Sequence, residues 1–277
     1  MTATKMARLQ APSVARARGV ADLSARPRPL AGGHAAHARI ENDDRWRFTA
    51  SPLIRSERSS WELLMAQHDL PGNVRWARAN SCDAPELVAD VLVTTESTKA
   101  REREALRGMQ LALTGRGAEV EPEESVAPVN AALAAVCAET GWSHAERDGG
   151  AFAVALECGN DTHSARLVAT PRGHVAIETP LARVAIADFS ELARTAIADF
   201  LLAMSAALRH VRPAAIITSH EIEFVLEARF PTTPSAAELA TTLSACSVGC
   251  STCARETSAL LDSEIAKAYL AARVGAP

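Results

Sequence analysis

Residues Ile222 to Phe230 place Ile222, Phe224, Leu226, Ala228 and Phe230 on one side of the chain and Glu223, Val225, Glu227 and Arg229 on the other. Such alternation is the period of a half-buried strand, because successive side chains leave a pleated backbone on opposite faces. One strand cannot bury its own apolar side, so the chain must supply further strands beside it and a layer of structure over it. Pro231-Thr232-Thr233-Pro234 ends the run, and Ser235 with Glu238 has the capping-box spacing that opens a helix.

The neighbouring elements follow from the same two periodicities. Upstream, Val129, Leu133, Val136 and Cys137 recur at helical spacing, and the helix they define ends near Gly141. Strands are expected at Phe152 to Leu156, Ser164 to Ala169 and His174 to Glu178, separated by Gly159-Asn160-Asp161 and Pro171-Arg172-Gly173 and preceded by the turn Asp148-Gly149-Gly150. Asp188 and Glu191 then have capping-box spacing, ahead of a broad apolar stripe through Leu192, Ala196, Phe200, Met204 and Leu208, with Ile197 and Leu201 beside it. A strand over Ala215 to Thr218 leads into the alternating one. The expected fold class is therefore α+β, an antiparallel sheet with helices in the order α-β-β-β(-β)-α-β-β-α over residues 126–277.

Before it stands a smaller unit, residues 41–115. Arg45-Trp46-Arg47-Phe48 suits a short strand, and Ser59 with Glu62 caps a helix through Leu63 and Leu64. Val74 to Arg78 and Leu87 to Val93 predict two strands, and Ala105, Met109 and Ala112 or Leu113 give the apolar side of a charged helix. This ββα unit reads as a partial copy of the strand, strand, helix order from Ala215 to Val248, and such a unit must pack on something larger. Three of the four tryptophans, Trp46, Trp61 and Trp76, fall here and suit core anchors. Gly115-Arg116-Gly117 and the run Glu119, Glu121, Glu123, Glu124 mark residues 116–125 as an acidic linker.

The element order of residues 126–272, with an apolar helix between a meander and a hairpin and a long helix closing the domain, resembles the type III secretion chaperone-like fold, which includes the YbjN family. That resemblance implies a non-enzymatic cytoplasmic adaptor, often a homodimer, that binds an extended segment of another polypeptide on the outside of its sheet. It carries no catalytic residue across to this chain. Phe200, Met204 and Leu208 on the central apolar helix are the expected dimer or partner contact.

Charge narrows the partner classes. Residues 1–40 hold seven basic side chains, Lys5, Arg8, Arg16, Arg18, Arg26, Arg28 and Arg39, against Asp22; with a whole-chain formal charge of −4, this +6 leaves −10 on the remainder. An acidic folded portion argues against nucleic acid, whose affinity rests on clustered Lys and Arg. The arm from Met1 to Ile40 has no sustained apolar stretch, so it is not a secretory signal; we read residues 1–40 as a disordered basic arm. No apolar run approaches the length of a membrane span, so no membrane partner is expected.

The sharpest chemical motif is Cys246-Ser247-Val248-Gly249-Cys250-Ser251-Thr252-Cys253, since C-x3-C-x2-C is the spacing with which radical S-adenosylmethionine enzymes hold an iron–sulfur cluster. A metal- or iron–sulfur-binding protein using Cys246, Cys250 and Cys253 is thus the alternative function. Those enzymes follow the loop with most of a barrel, whereas only 24 residues remain after Cys253. Packing explains the spacing directly, because Leu239, Leu243, Cys246, Cys250, Cys253, Thr257 and Leu260 recur at intervals of four and three, the seam of a helix. The expectation is no catalytic residue, no metal and no cofactor. His34 and His37 form a close pair in the basic arm, and no H-x-x-x-H pair, phosphate loop, dinucleotide fingerprint or nucleophile elbow is present.

Overall fold

The computed structural model describes residues 28–30, 34–42, 45–51, 58–70, 72–78, 84–92, 98–114, 127–147, 151–158, 161–169, 175–230 and 234–274. The acidic linker, the glycine turn at residues 148–150 and most of the basic arm lie outside them. The fold is α+β, with two antiparallel sheets.

The first sheet contains β1 (Arg28–Pro29), β2 (Ala35–Asn42), β3 (Arg45–Ala50), β4 (Arg75–Ala77) and β5 (Glu86–Leu92) in the order β1-β2-β3-β5-β4. Helix α1 (Ser60–Gln67) connects β3 to β4, and α2 (Thr98–Thr114) follows β5 and packs on it. The capping box expected at the start of α1 forms: Ser59 Oγ accepts from the Glu62 amide, and the Glu62 carboxylate accepts from the Ser59 amide. The disordered-arm expectation is corrected at its end, since Arg28–Pro29 and Ala35–Ile40 belong to strands and Ala36 is fully buried. Short Ala-rich segments carry little alternation of their own, and pairing with β3 is what makes β2 a strand.

The second sheet contains β6 (His144–Glu146), β7 (Phe152–Cys158), β8 (Asp161–Ala169), β9 (Val175–Ala185), β10 (Arg212–Ile217) and β11 (Glu221–Phe230), ordered β10-β11-β9-β8-β7-β6. Helix α3 (Ala127–Thr140) precedes it, α4 (Glu191–Ala207) joins β9 to β10, and α5 (Ala236–Ala259) and α6 (Ser263–Val274) follow β11. Ile222, Phe224, Leu226, Ala228 and Phe230 all enter the core, as their alternation requires. Helix α5 lies on that face and packs on β7, β8, β9 and β11.

Three local expectations change. The cap of α4 is Ser190, whose Oγ accepts from the Ala193 amide, so the Asp188–Glu191 box does not form; Asp188 is instead in a 3-10 turn over Ile186–Asp188. Strand β10 begins at Arg212 rather than Ala215, since pairing with Glu227 and Leu226 recruits residues with no apolar alternation. The closing helix is two helices: after Leu260, Asp262 caps a second one through its Oδ1, which accepts from the Glu264 and Ile265 amides. Gly249 lies within one continuous helix, α5. A Cβ there would meet Leu226 Cδ1 at 2.6 Å and Leu208 Cδ2 at 3.1 Å, so the glycine lets helix and sheet approach closely.

The partial repeat expected from Val74 to Leu113 extends further than that span. β2-β3-β5-β4 and β8-β9-β11-β10 have the same strand order, each antiparallel throughout. In both, a helix leaves the second strand and returns to the last-placed one.

Candidate functional site

The densest polar chemistry lies where the two halves meet. Two buried carboxylates organise it, one from each half. Asp90 on β5 accepts from Arg47 Nε at 2.9 Å, from Arg75 Nη2 at 2.8 Å and from the His210 amide at 3.1 Å. Burial pushes the Asp90 carboxyl up, but the two guanidinium groups outweigh that and hold it well below the usual carboxylate range. His210, buried and with a left-handed φ of 59°, is the one non-glycine residue with positive φ among those described, and its amide bond to Asp90 helps hold that geometry.

Glu227 on β11 is the second centre. Arg212 Nε and Nη2 both reach its Oε1 at 2.8 Å, while His68 Nδ1 and Arg229 Nη2 approach its Oε2 at 2.9 and 3.5 Å. Burial again raises the carboxyl, and Arg212, His68 and Arg229 together bring it below its usual value. The spare guanidinium hydrogens are spent on backbone: Arg75 donates to the Ser205 and Leu208 carbonyls, and Arg212 donates to those of Leu70, Gly72 and Val74. The Ser205 and Leu208 carbonyls lie at the C-terminal end of α4, where α-helices leave acceptors unsatisfied, and those of Leu70, Gly72 and Val74 lie in the segment between α1 and β4.

Beside Asp90 is a cavity of about 30 Å³, walled by Asn73, Arg101, Glu104, His210, Phe230 and Glu238 among others. That volume suits a water, not a substrate. Arg101 clasps Glu238 on α5 through Nε at 2.6 Å and Nη2 at 3.1 Å, and also meets Glu104 at 2.9 Å. Burial raises the Glu104 carboxyl above its ordinary value despite Arg101, whereas Glu238, also bonded by the Ser235 amide and hydroxyl, falls below its own. The charged groups of this junction hold one another and the backbone, which is an architectural task.

A second polar surface lies on the face of the six-stranded sheet away from α5, which is buried along β11 at Val225 and Glu227 and more exposed toward β8. Arg166, Glu178 and Glu223 alternate with buried Leu167, Ile177 and Phe224, and so stand on the opposite face. Arg166 sits directly across from Glu178 and bonds it at 3.3 Å and Glu223 at 2.7 Å; Arg183 sits across from Glu223 and bonds it at 2.8 Å. Arg166 and Arg183 retain 38% and 57% of their side-chain exposure, so both remain able to meet a partner.

The cysteine motif falls on the buried side of α5. Cys246, Cys250 and Cys253 are fully buried among Leu208, Leu226, Leu239 and Leu243. Burial pushes the Cys246 and Cys253 thiols up to about 12 and raises Cys250 as well, which favours the neutral thiol at all three. Among the described residues no group of three or more His, Cys, Asp and Glu side chains is placed to hold a metal ion.

The three residues expected at a dimer or partner contact also make contacts within the chain, Phe200 and Met204 remaining half-buried. Leu208 is 8% exposed and packs near Gly249, Phe200 stacks edge-on against Tyr269 of α6 at 6.5 Å, and Met204 packs on the same core. The helix break at Leu260 turns α6 back along α4, which brings Tyr269 onto Phe200 while Leu192 stays 44% exposed. Of the His34–His37 pair, His34 is half-buried and His37 exposed, on or beside β2. Sequence reasoning missed Arg75, Asp90 and Arg212 altogether; the only trace was charge inside strand-forming runs.

No family model, curated protein or solved structure matches this chain. Among the described residues no helix is long and apolar enough to cross a membrane.

Proposed function

We propose that this protein is a non-enzymatic, chaperone-like adaptor of the cytoplasm that binds a polypeptide on the face of its six-stranded sheet away from α5. The observation that carries the reading is the Arg166–Glu178–Glu223–Arg183 ladder, whose carboxylates are largely buried and whose two arginines stay accessible, on a sheet whose other face is covered by α5. A sheet face of this kind offers an extended segment regularly spaced side chains of both signs. The element order resembling the type III secretion chaperone-like fold supports the same reading. So does the use of the buried charges at the junction, all bonded to each other or to backbone.

The test is site-specific photocrosslinking in cells of the source organism. A benzophenone residue at Ser164, exposed on that face, should give a discrete polypeptide adduct that Arg166→Glu abolishes, while the same probe at Ser251 on α5 should not. Identical adduct patterns from both positions would sink the proposal.

A further inference from the structure

The two halves share more than strand order. Helix α1 packs on α4 and on β10, and α4 in turn packs on α1 and on β4, so each half presents the same pair of elements to the other. Each of these helices carries two adjacent leucines that part company. Leu63 stays in the core of the first half while Leu64 enters that of the second; Leu201 stays in the second while Leu202 enters the first. All four are fully buried. The arginines repeat the exchange, with Arg75 of the first half bonded to carbonyls at the C-terminal end of α4 and Arg212 of the second bonded to carbonyls after α1. The Arg78 amide adds a backbone bond to the Leu202 carbonyl at 3.2 Å.

We infer that the chain is a covalent dimer of one folding unit, in which the helix-and-edge-strand surface that would pair two copies is already filled by the chain's own other half. Reciprocal contacts of this kind are the mark of a two-fold interface, where the same patch serves both partners. The consequence is a self-sufficient monomer in which α1 and α4 are not available to a second copy. Fusion makes the pairing intramolecular and independent of protein concentration, and it frees each half to diverge. Divergence is visible: the second half has α3, α6 and a longer meander that the described residues of the first do not match.

The experiment is a protease site inserted in residues 116–125 of the full chain, cleaved after folding. The two fragments should co-elute as a one-to-one complex at micromolar concentration, and hydrogen exchange of the α1 and α4 amides in the uncut protein should be unchanged over a roughly hundredfold dilution. Fragments that separate on cleavage under native conditions, or α1 and α4 amides whose protection rises with protein concentration, would overturn it.

Discussion

Arg75 and Arg212 cross the junction between the halves in opposite directions, and each ends on backbone carbonyls at or beyond the C-terminal end of the other half's helix. Each also bonds a carboxylate of its own half, Asp90 at 2.8 Å and Glu227 at 2.8 Å. A guanidinium suits the position because its planar fork serves a carboxylate and several carbonyls at once without losing its charge.

Removing one of these side chains strands its partners. Arg212→Ala leaves Glu227 buried without its closest cation and three carbonyls without a donor, and should cost about 3 to 5 kcal/mol in denaturant unfolding. Arg166→Ala, whose side chain is 38% exposed, should cost no more than about 1 kcal/mol. Equal losses in the two variants would show that the junction does not hold the fold.

Gly249→Ala tests close packing against helix propensity. Alanine is favoured over glycine in a helix interior by about 1 kcal/mol, yet its Cβ would lie 2.6 Å from Leu226 Cδ1. Overpacking of this kind costs about 1 to 3 kcal/mol, so the variant should melt lower than the parent. A higher melting temperature would mean that the two leucines yield freely.

The Arg101 clasp gives a pH signature. Glu104 has its folded pKa raised by burial, so its contribution to stability is greatest in acid and is lost as pH climbs past the ordinary glutamate value of 4.5. Glu238 has the opposite sign, with stability present above 4.5 and lost as pH falls. Glu104→Gln should therefore raise the melting temperature near pH 7 and give little gain near pH 4, while Glu238→Gln should lower it near pH 7. Melting curves across that window decide the assignment.

Thiol chemistry separates packing from ligation. In the native protein a thiol reagent should leave Cys246, Cys250 and Cys253 untouched while reaching half-buried Cys158, and all four should react in denaturant. A chelator should leave the melting temperature unchanged. Iron or zinc bound in stoichiometric amount and lost together with stability would refute the packing role.

Several elements were legible because their causes are local. The capping boxes Ser59–Glu62 and Ser235–Glu238 need only four consecutive residues, and both form. The strand at Glu221–Phe230 announces itself through period-two alternation, and the cysteine seam through period 3.6. Where local signals competed, the outcome went elsewhere: Ser190 takes the α4 cap from Asp188, two residues away.

What the sequence alone determined was the α+β class, the order of most elements and the core-facing side of β11 and α5, since those follow from side-chain periodicity within a few residues. On α4 the buried side is shifted from the expected stripe, with Leu192 44% exposed and Ile197, Leu201 and Leu202 buried. What only the tertiary structure decided was that β1 and β2 join the first sheet, that α6 folds back over Phe200, and that two halves of one topology exchange Leu64 for Leu202 and Arg75 for Arg212. The partners across the junction lie more than a hundred residues apart, as Arg75 does from Ser205, and no periodicity spans such a distance. Burial makes such pairings strong by excluding water, and burial is settled only when the whole chain has closed.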